Sequence, residues 1–302
     1  MSKGTLSEFN QIEGIQESRP VFRLGANYQI AEYTYLRASW GQGYRFPTIA
    51  EKYISTRVSA LTILPNPDLR SEHGWSSEIG IKQGVRISNW LGYVDLSGFI
   101  NAYFDMMEFT FDFYDIGNIA IPGFKSLNIG NTRIVGAEFS VFGEGKIGNI
   151  PTNIIAGYTY IDPKFQDFDS LQNASSSADY NVLKYRFRHT VKFDIESTFK
   201  QLRVGVDVNY FSFMEAVDAA FVDPVIDLPG DDNDIYIIPG LQHYRDTHDG
   251  GDAVIDMRVA WLFNDKNELA VICNNMLNRP YMLRPAIMEP TRNLMLRYVV
   301  KL

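Results

Sequence analysis

The sequence predicts an all-β chain folded as a transmembrane, antiparallel, up-and-down β-barrel. Three observations carry that expectation. Apolar and polar residues alternate with period two through most of the 302 residues, the spacing of a strand with one apolar face. The connections between these segments alternate strictly between short and long. Aromatic residues are abundant, with 17 Tyr, 20 Phe and 4 Trp, yet nowhere do eighteen apolar residues run without a charge. A membrane helix is therefore excluded, whereas a membrane barrel, whose signal per segment is weak, is not.

Eleven strands are expected, near 20–30, 33–42, 74–84, 92–106, 125–143, 152–162, 185–197, 202–214, 253–263, 267–277 and 292–302. In the first, Phe22, Leu24, Ala26, Tyr28 and Ile30 alternate with Arg23, Gly25, Asn27 and Gln29. In the seventh, Phe187, His189, Val191, Phe193 and Ile195 face away from Arg186, Arg188, Lys192, Asp194 and Glu196. In the last, Leu294, Leu296, Tyr298, Val300 and Leu302 alternate with Asn293, Arg297 and Lys301. Short connections fall at 31–32, 85–91, 144–151, 198–201 and 264–266; long ones run over 44–73, 107–124, 163–184, 215–252 and 278–291. A soluble antiparallel sheet also alternates, but has no reason to keep every second connection long. An outer-membrane barrel does, because irregular backbone accumulates only outside hydrocarbon. Trp40 and Trp75 then sit at loop ends of their strands and Trp90 and Trp261 at turn ends, as two interfacial girdles.

The 28 basic and 36 acidic side chains leave a net charge of −8, which argues against a nucleic-acid partner. The single Cys273 excludes a disulfide framework and a Cys-based zinc knuckle, and in an apolar strand it reads as a small buried or lipid-facing residue. Residues 1–18 lack the apolar core and cleavage site of a secretory signal, so either the chain is cytoplasmic or Met1 is not the natural start. Eleven strands with termini on opposite sides do not close an even-stranded barrel, so the chain reads as a truncated piece.

Several segments, in one order, resemble the barrels of TonB-dependent outer-membrane receptors. Residues 36–53, LRASWGQGYRFPTIAEKY, and 66–82, NPDLRSEHGWSSEIGIK, are similar to two successive family signatures. So are IVGAEF at 134–139, GYTYI at 157–161, RHTVK at 188–192, NNMLNRPY at 274–281 and the terminal PTRNLMLRYVVKL at 290–302. The tone of GQGYRFPTIAEKY most resembles receptors of Bacteroidetes-type bacteria. The resemblance implies that residues 1–302 are the C-terminal part of a barrel of about 22 strands. The signal peptide, TonB box and plug domain are then absent from this stretch. It further implies an outer membrane of a Gram-negative cell, an extracellular nutrient as ligand, and active uptake driven by the TonB complex through the plug. The nutrient is left open among a siderophore, a corrinoid, an oligosaccharide and a peptide, the last two with a surface lipoprotein lid as partner. Family members end in an aromatic residue; this chain ends in Leu302. A passive porin or adhesin barrel, and a soluble β-sandwich binding protein, are the alternatives.

No enzyme motif is present: GxSxG, HExxH, P-loop and GxGxxG patterns are all missing. Asp194, Glu196 and Asp207 read as a lumen wall balanced by Arg186, Arg188, Lys192 and Arg203 rather than as an acid–base pair. The segment 215–252 holds ten acids against one base, Arg245. Three readings stay open for it: a solvated acidic loop; a Ca²⁺ site at Asp231, Asp232 and Asp234; and capture of a cationic ligand with Tyr236, His243 and Tyr244. His243 and His248, five apart, also have the chemistry of transition-metal ligands. Tyr44, Arg45 and Phe46 are candidate ligand contacts, weighed against a structural role in which Pro47 sets the turn and Glu51 caps a short helix.

Overall fold

The computed structural model describes residues 18–58, 61–116, 119–169, 175–224, 234–285 and 287–301. In chain order the strands are β1 (Arg23–Ala31), β2 (Thr34–Arg45), β3 (Thr56–Val58), β4 (Leu61–Leu64), β5 (Glu72–Ile87) and β6 (Asn89–Phe104). There follow β7 (Met107–Ile116), β8 (Ile119–Asn128), β9 (Thr132–Ile147), β10 (Ile150–Phe165), β11 (His189–Phe199) and β12 (Leu202–Phe211). The chain ends with β13 (Asp252–Asn264), β14 (Asn267–Asn274), β15 (Met282–Arg284), β16 (Ile287–Met288) and β17 (Asn293–Val300). Two short helices, α1 (Ile49–Tyr53) and α2 (Leu241–Thr247), lie in long connections.

Eleven strands make one sheet in the order β1-β2-β5-β6-β9-β10-β11-β12-β13-β14-β17, and all its neighbours are antiparallel. This is an up-and-down meander, one strand for each alternating segment of the sequence. The described residues form one large meander sheet and two small ones, rather than the two packed layers of a sandwich. Leu24, Ile79, Leu96, Leu294 and Leu296 are 52–74% exposed, as side chains are when lipid is the solvent. The sheet is open, with β1 and β17 at its edges.

The reversals at one end are tight, and the backbone shows how. Tyr33, Ser88, Gly148 and Lys200 take φ of 61°, 57°, 63° and 56°, the left-handed conformation that short hairpin turns demand. The turn near Ser88 is shorter than the expected 85–91, since β5 runs to Ile87 and β6 starts at Asn89. Among the described residues the long irregular connections gather at the other end.

Register assigns the faces. Ala38, Ile79, Gly98, Ala137, Tyr160 and His189 form one lateral row, and Leu36, Ile81, Leu96, Phe139, Tyr158 and Val191 the next. Trp40, Trp75, Trp90, Trp261 and Cys273 belong to this apolar, outer face. Trp90, at the turn end, is nearly buried, because its ring lies across Gly92 and Gly143. The opposite face carries the charges. Arg37 binds Glu78 at 2.8 Å and Asp95 at 2.7 Å, while Arg258 binds Asp194 at 2.6 Å and Glu196 at 2.8 Å. Arg203 reaches Glu268 at 2.9 Å and Glu196 at 3.6 Å. A balanced polar wall is present, but its pairing corrects the expectation. Arg258 is the main base for Asp194 and Glu196. Arg186 turns to the carbonyls of Lys184 and Tyr185, and Arg188 sits at the rim with Asp162 at 2.6 Å and with Glu215.

The loop side also departs from expectation. Residues 107–124, read as a loop, form β7 and the start of β8; the expected strand 125–143 is split at Gly130, where φ is 95°. A four-stranded sheet, β3-β4-β8-β7, stands above the wall, with β4 and β8 parallel. The pair β15-β16 makes a third small sheet.

A Cβ on Gly143 would lie 2.2 Å from Trp90 Cζ2 and 2.8 Å from the Leu91 carbonyl oxygen. Gly143→Ala is expected to destabilise the barrel by about 1–3 kcal/mol through overpacking, read as a lower urea midpoint in detergent micelles. Gly157→Ala, where a Cβ meets nothing within 4 Å, is expected to leave the midpoint unchanged.

Candidate ligand-binding vestibule

The long connections are tied together by one buried ionic cluster. Asp218, fully buried, precedes the 3₁₀ turn Ala219–Phe221. Its Oδ1 accepts from Lys184 Nζ at 2.6 Å. Its Oδ2 accepts from the Phe111 N–H at 2.9 Å and from the Tyr185 hydroxyl. Glu108 Oε2 stands 3.3 Å from the same Lys184 Nζ, and Thr110 Oγ1 accepts from it at 3.4 Å. Three long connections, at 105–131, 166–188 and 212–251, thus meet at one carboxylate. Phe111, Val217, Phe221, Val222 and Leu241 form the apolar core beside it. Burial, and then the Asp218 charge, pushes the Tyr185 hydroxyl far above the usual tyrosine range. Burial likewise raises the Glu108 carboxyl, and the Lys184 ammonium only partly offsets it.

On the open side of this core lies a cavity of about 500 Å³. Phe109 and Phe124 stack at its wall with ring centroids 4.8 Å apart and planes within 6°. Phe109 remains 45% exposed. Tyr185, Arg186, Arg284 and Ile287 also line it. Arg186 spends Nη1 on two carbonyls, whereas Arg284 is exposed and makes no ion pair among the described residues. Aromatic faces beside guanidinium groups suit a ligand with flat and anionic parts.

Of the residues singled out in the sequence, Arg45 is engaged. Its guanidinium holds Glu51 Oε1 at 3.0 Å, and Glu51 Oε2 accepts the Thr48 N–H at 2.7 Å while Thr48 Oγ1 caps the Glu51 N–H at 3.2 Å. This is a capping box on α1, with Thr48 as the N-cap and Glu51 reciprocating. Burial raises the Glu51 carboxyl, but the Thr48 N–H and Arg45 more than compensate and hold it below the ordinary range. Tyr44 packs edge-on against Phe46 at 4.8 Å. Tyr44 and Arg45 also line a second cavity of about 420 Å³ with Arg23, Glu72, His73 and Tyr103.

The acidic segment is not simply a solvated loop. Asp218 is buried, Glu215 binds Arg188, and Asp252 binds Arg279 at 2.8 Å. Tyr244 lies on α2 with its hydroxyl donating to Asp252 Oδ2 at 2.8 Å and its ring stacked on His248 at 4.0 Å. His243 is exposed on the same helix and Tyr236 is half-buried. Asp231 and Asp232 lie outside the described residues, and Asp234 is half-buried. Among the described residues no three His, Cys, Asp or Glu side chains gather into a metal site. The cavity residues Phe109, Phe124 and Arg284 were not singled out in the sequence. The signal lay in the alternation of Phe109, Phe111 and Phe113 with Glu108, Thr110 and Asp112.

A sequence model described as "TonB dependent receptor-like, beta-barrel" matches residues 7–276. No curated protein sequence matches. Among solved structures, the chain is similar to the copper transporter OprC, with a TM-score of 0.59 and 15% identity over 92% of this chain and 39% of that one. It is similar to the ferric-catecholate import receptor Fiu of E. coli K12, with a TM-score of 0.61 and 17% identity over 92% and 34%. It also resembles the hemophore receptor HasR of Serratia marcescens, solved with its hemophore HasA and heme, with a TM-score of 0.55 and 16% identity over 91% and 38%. The chain therefore spans 34–39% of the length of these three proteins.

Two expectations follow from the cluster. Asp218→Ala leaves the buried Lys184 ammonium with Glu108 alone and is expected to cost about 3–5 kcal/mol. The pair Asp218→Leu with Lys184→Met removes the ammonium but leaves the Phe111 N–H, the Tyr185 hydroxyl and Glu108 without their partners, so it is expected to recover only part of that loss; thermal unfolding followed by near-ultraviolet circular dichroism ranks the three. The raised Glu108 carboxyl favours the protonated group in the folded state. Its contribution is thus full below the ordinary glutamate value of 4.5 and is lost as pH rises through the raised folded value. Glu108→Gln, which copies the protonated group, is expected to flatten the fall of melting temperature between pH 4.5 and the raised folded value.

Proposed function

The chain belongs to the family of TonB-dependent receptor-like β-barrels, and on that footing we propose that it forms the ligand-receiving wall of a receptor for active uptake of a scarce nutrient. Members of this family are outer-membrane transport receptors, not enzymes. The observation that carries the reading is the loop-side cavity, where the exposed Phe109 face and the Arg284 and Arg186 guanidiniums converge. Its chemistry favours an anionic ligand with planar groups, of the kind presented by a metal chelate of aromatic or carboxylate donors. Binding there would draw on stacking and charge-assisted hydrogen bonds, in a site walled by the Asp218-centred core and therefore preorganised. Transport would follow when the TonB complex acts on a plug domain seated against the polar face of the wall, where Arg37, Arg203 and Arg258 already have their charges balanced.

The carved shape of the loop side supports a receptor over a passive porin, since a porin needs an aqueous lumen but no aromatic cavity at its mouth. The test is binding of a ferric tris-catecholate, with heme as the alternative probe, to the protein purified in neutral detergent. One of the two is expected to quench intrinsic fluorescence at saturating dose. Phe109→Ala and Arg284→Ala are each expected to weaken that binding about tenfold, the loss of one good polar or stacking contact. Binding unchanged in both variants, or no binding by any probe, would overturn the reading.

A further inference from the structure

We propose that Arg133 and Lys164, on the outer face of the wall at its loop end, bind the phosphate-bearing headgroup of a lipid in the loop-side leaflet. The two are cross-strand partners of β9 and β10, in a lateral row that runs Trp75, Ala102, Arg133 and Lys164 across four strands. Parity places this row on the same face as Leu96, Phe139 and Tyr158. The height of the row is informative. Trp90 and Ala102 are twelve residues apart on β6, about 40 Å along a strand and about 30 Å in height at the usual tilt of barrel strands. That is the thickness of the hydrocarbon. With the Trp90 girdle at the turn-side interface, Arg133 and Lys164 stand at the opposite interface, among headgroups.

Along β10 the outer face reads, from the rim inward, Lys164, Asp162, Tyr160, Tyr158, Ala156 and Ile154. Charge gives way to aromatic and then to aliphatic, the order of a leaflet from headgroup to chain. Charge balance then singles out the two cations. Like charges directly opposite on neighbouring strands are unfavourable. Asp162 is the carboxylate beside them, and it is divided between Lys164 at 2.9 Å and Arg188 at 2.6 Å. Arg133 is exposed and has no hydrogen bond or ion pair among the described residues. A fork of guanidinium donors next to an ammonium, with the acid nearby already spent, is chemistry that recognises a phosphate. The site faces lipid, so the phosphate reaches it on a membrane lipid. Trp75, Tyr158 and Tyr160 flank the position of the glycerol or sugar and the upper acyl chains.

The test uses the protein purified from outer membranes in neutral detergent and titrated, by native mass spectrometry, with lipid A carrying both phosphates and with its dephosphorylated form. The phosphorylated lipid is expected to be retained, and the dephosphorylated one to bind about tenfold more weakly. The double variant Arg133→Glu with Lys164→Glu is expected to reduce the phosphorylated lipid to that weaker level. A heat-modifiable band shows that the variant is folded; should it not fold, Arg133→Gln alone carries the test, with a loss of several-fold. Arg86→Glu makes the same kind of charge change on the polar face at the turn end and is expected to have no effect. Equal retention of the two lipids, or equal loss in Arg86→Glu, would overturn the proposal. Nutrient binding in the loop-side cavity is read separately and does not enter either outcome.

Discussion

Hydrocarbon supplies no partner for a peptide N–H or carbonyl, and the rest of this molecule follows from that constraint. Within the membrane height each strand must be hydrogen-bonded along its length by its neighbours, so β5, β6, β9 and β10 run sixteen residues each in unbroken register. The constraint also dictates where irregular chain goes. At one end the strands reverse in one or two residues with left-handed backbone at Tyr33, Ser88 and Lys200. At the other end the chain is free of lipid and can build helices, a parallel strand pair and a core.

That core needs its own organising contact, because loops have no ladder to hold them. The Asp218 carboxylate serves this role by receiving an ammonium, a hydroxyl and a backbone N–H from two other connections. A buried ion pair gives little net stability over an apolar replacement, but it is directional. An apolar plug of the same volume would fill the space between β7, the 166–188 connection and the 3₁₀ turn without dictating their orientation. The position of the Phe109 and Phe124 rings, and hence the shape of the cavity they wall, depends on β7 being held in that orientation.

Most of the membrane wall was legible in the sequence because period two is a local signal. Phe193 or Ile195 betrays its face within four residues. What was not legible depends on partners far along the chain. Arg258 was missed as the base for Asp194 and Glu196 since it lies more than sixty residues away. It reaches them across Gly205, whose missing side chain leaves the space that the guanidinium crosses. Counting charges in 215–252 could not separate Asp218, which is buried and structural, from Asp246, which is exposed. β7 and the start of β8 were taken for a loop although their alternation is as regular as that of the wall strands, because the strict alternation of short and long connections left them no place in the wall. Only the pairing of β4 with β8 shows that the long connections carry a sheet of their own.

The motif that made the family recognisable is correspondingly the part least free to choose a ligand. In GYRFPTIAE the Arg45 guanidinium is committed to Glu51, both Glu51 oxygens are occupied, and Thr48 closes the box. These groups serve to start α1 and fold the connection back over β2, a need common to any ligand. Arg284 and the outward face of Phe109 have no such commitment, and they sit on elements that the membrane does not constrain. A barrel of this kind can therefore keep its wall and its capping box while exchanging the chemistry of its mouth. This separation is consistent with proteins as different in cargo as a copper transporter and a ferric-catecholate receptor sharing the fold of this chain.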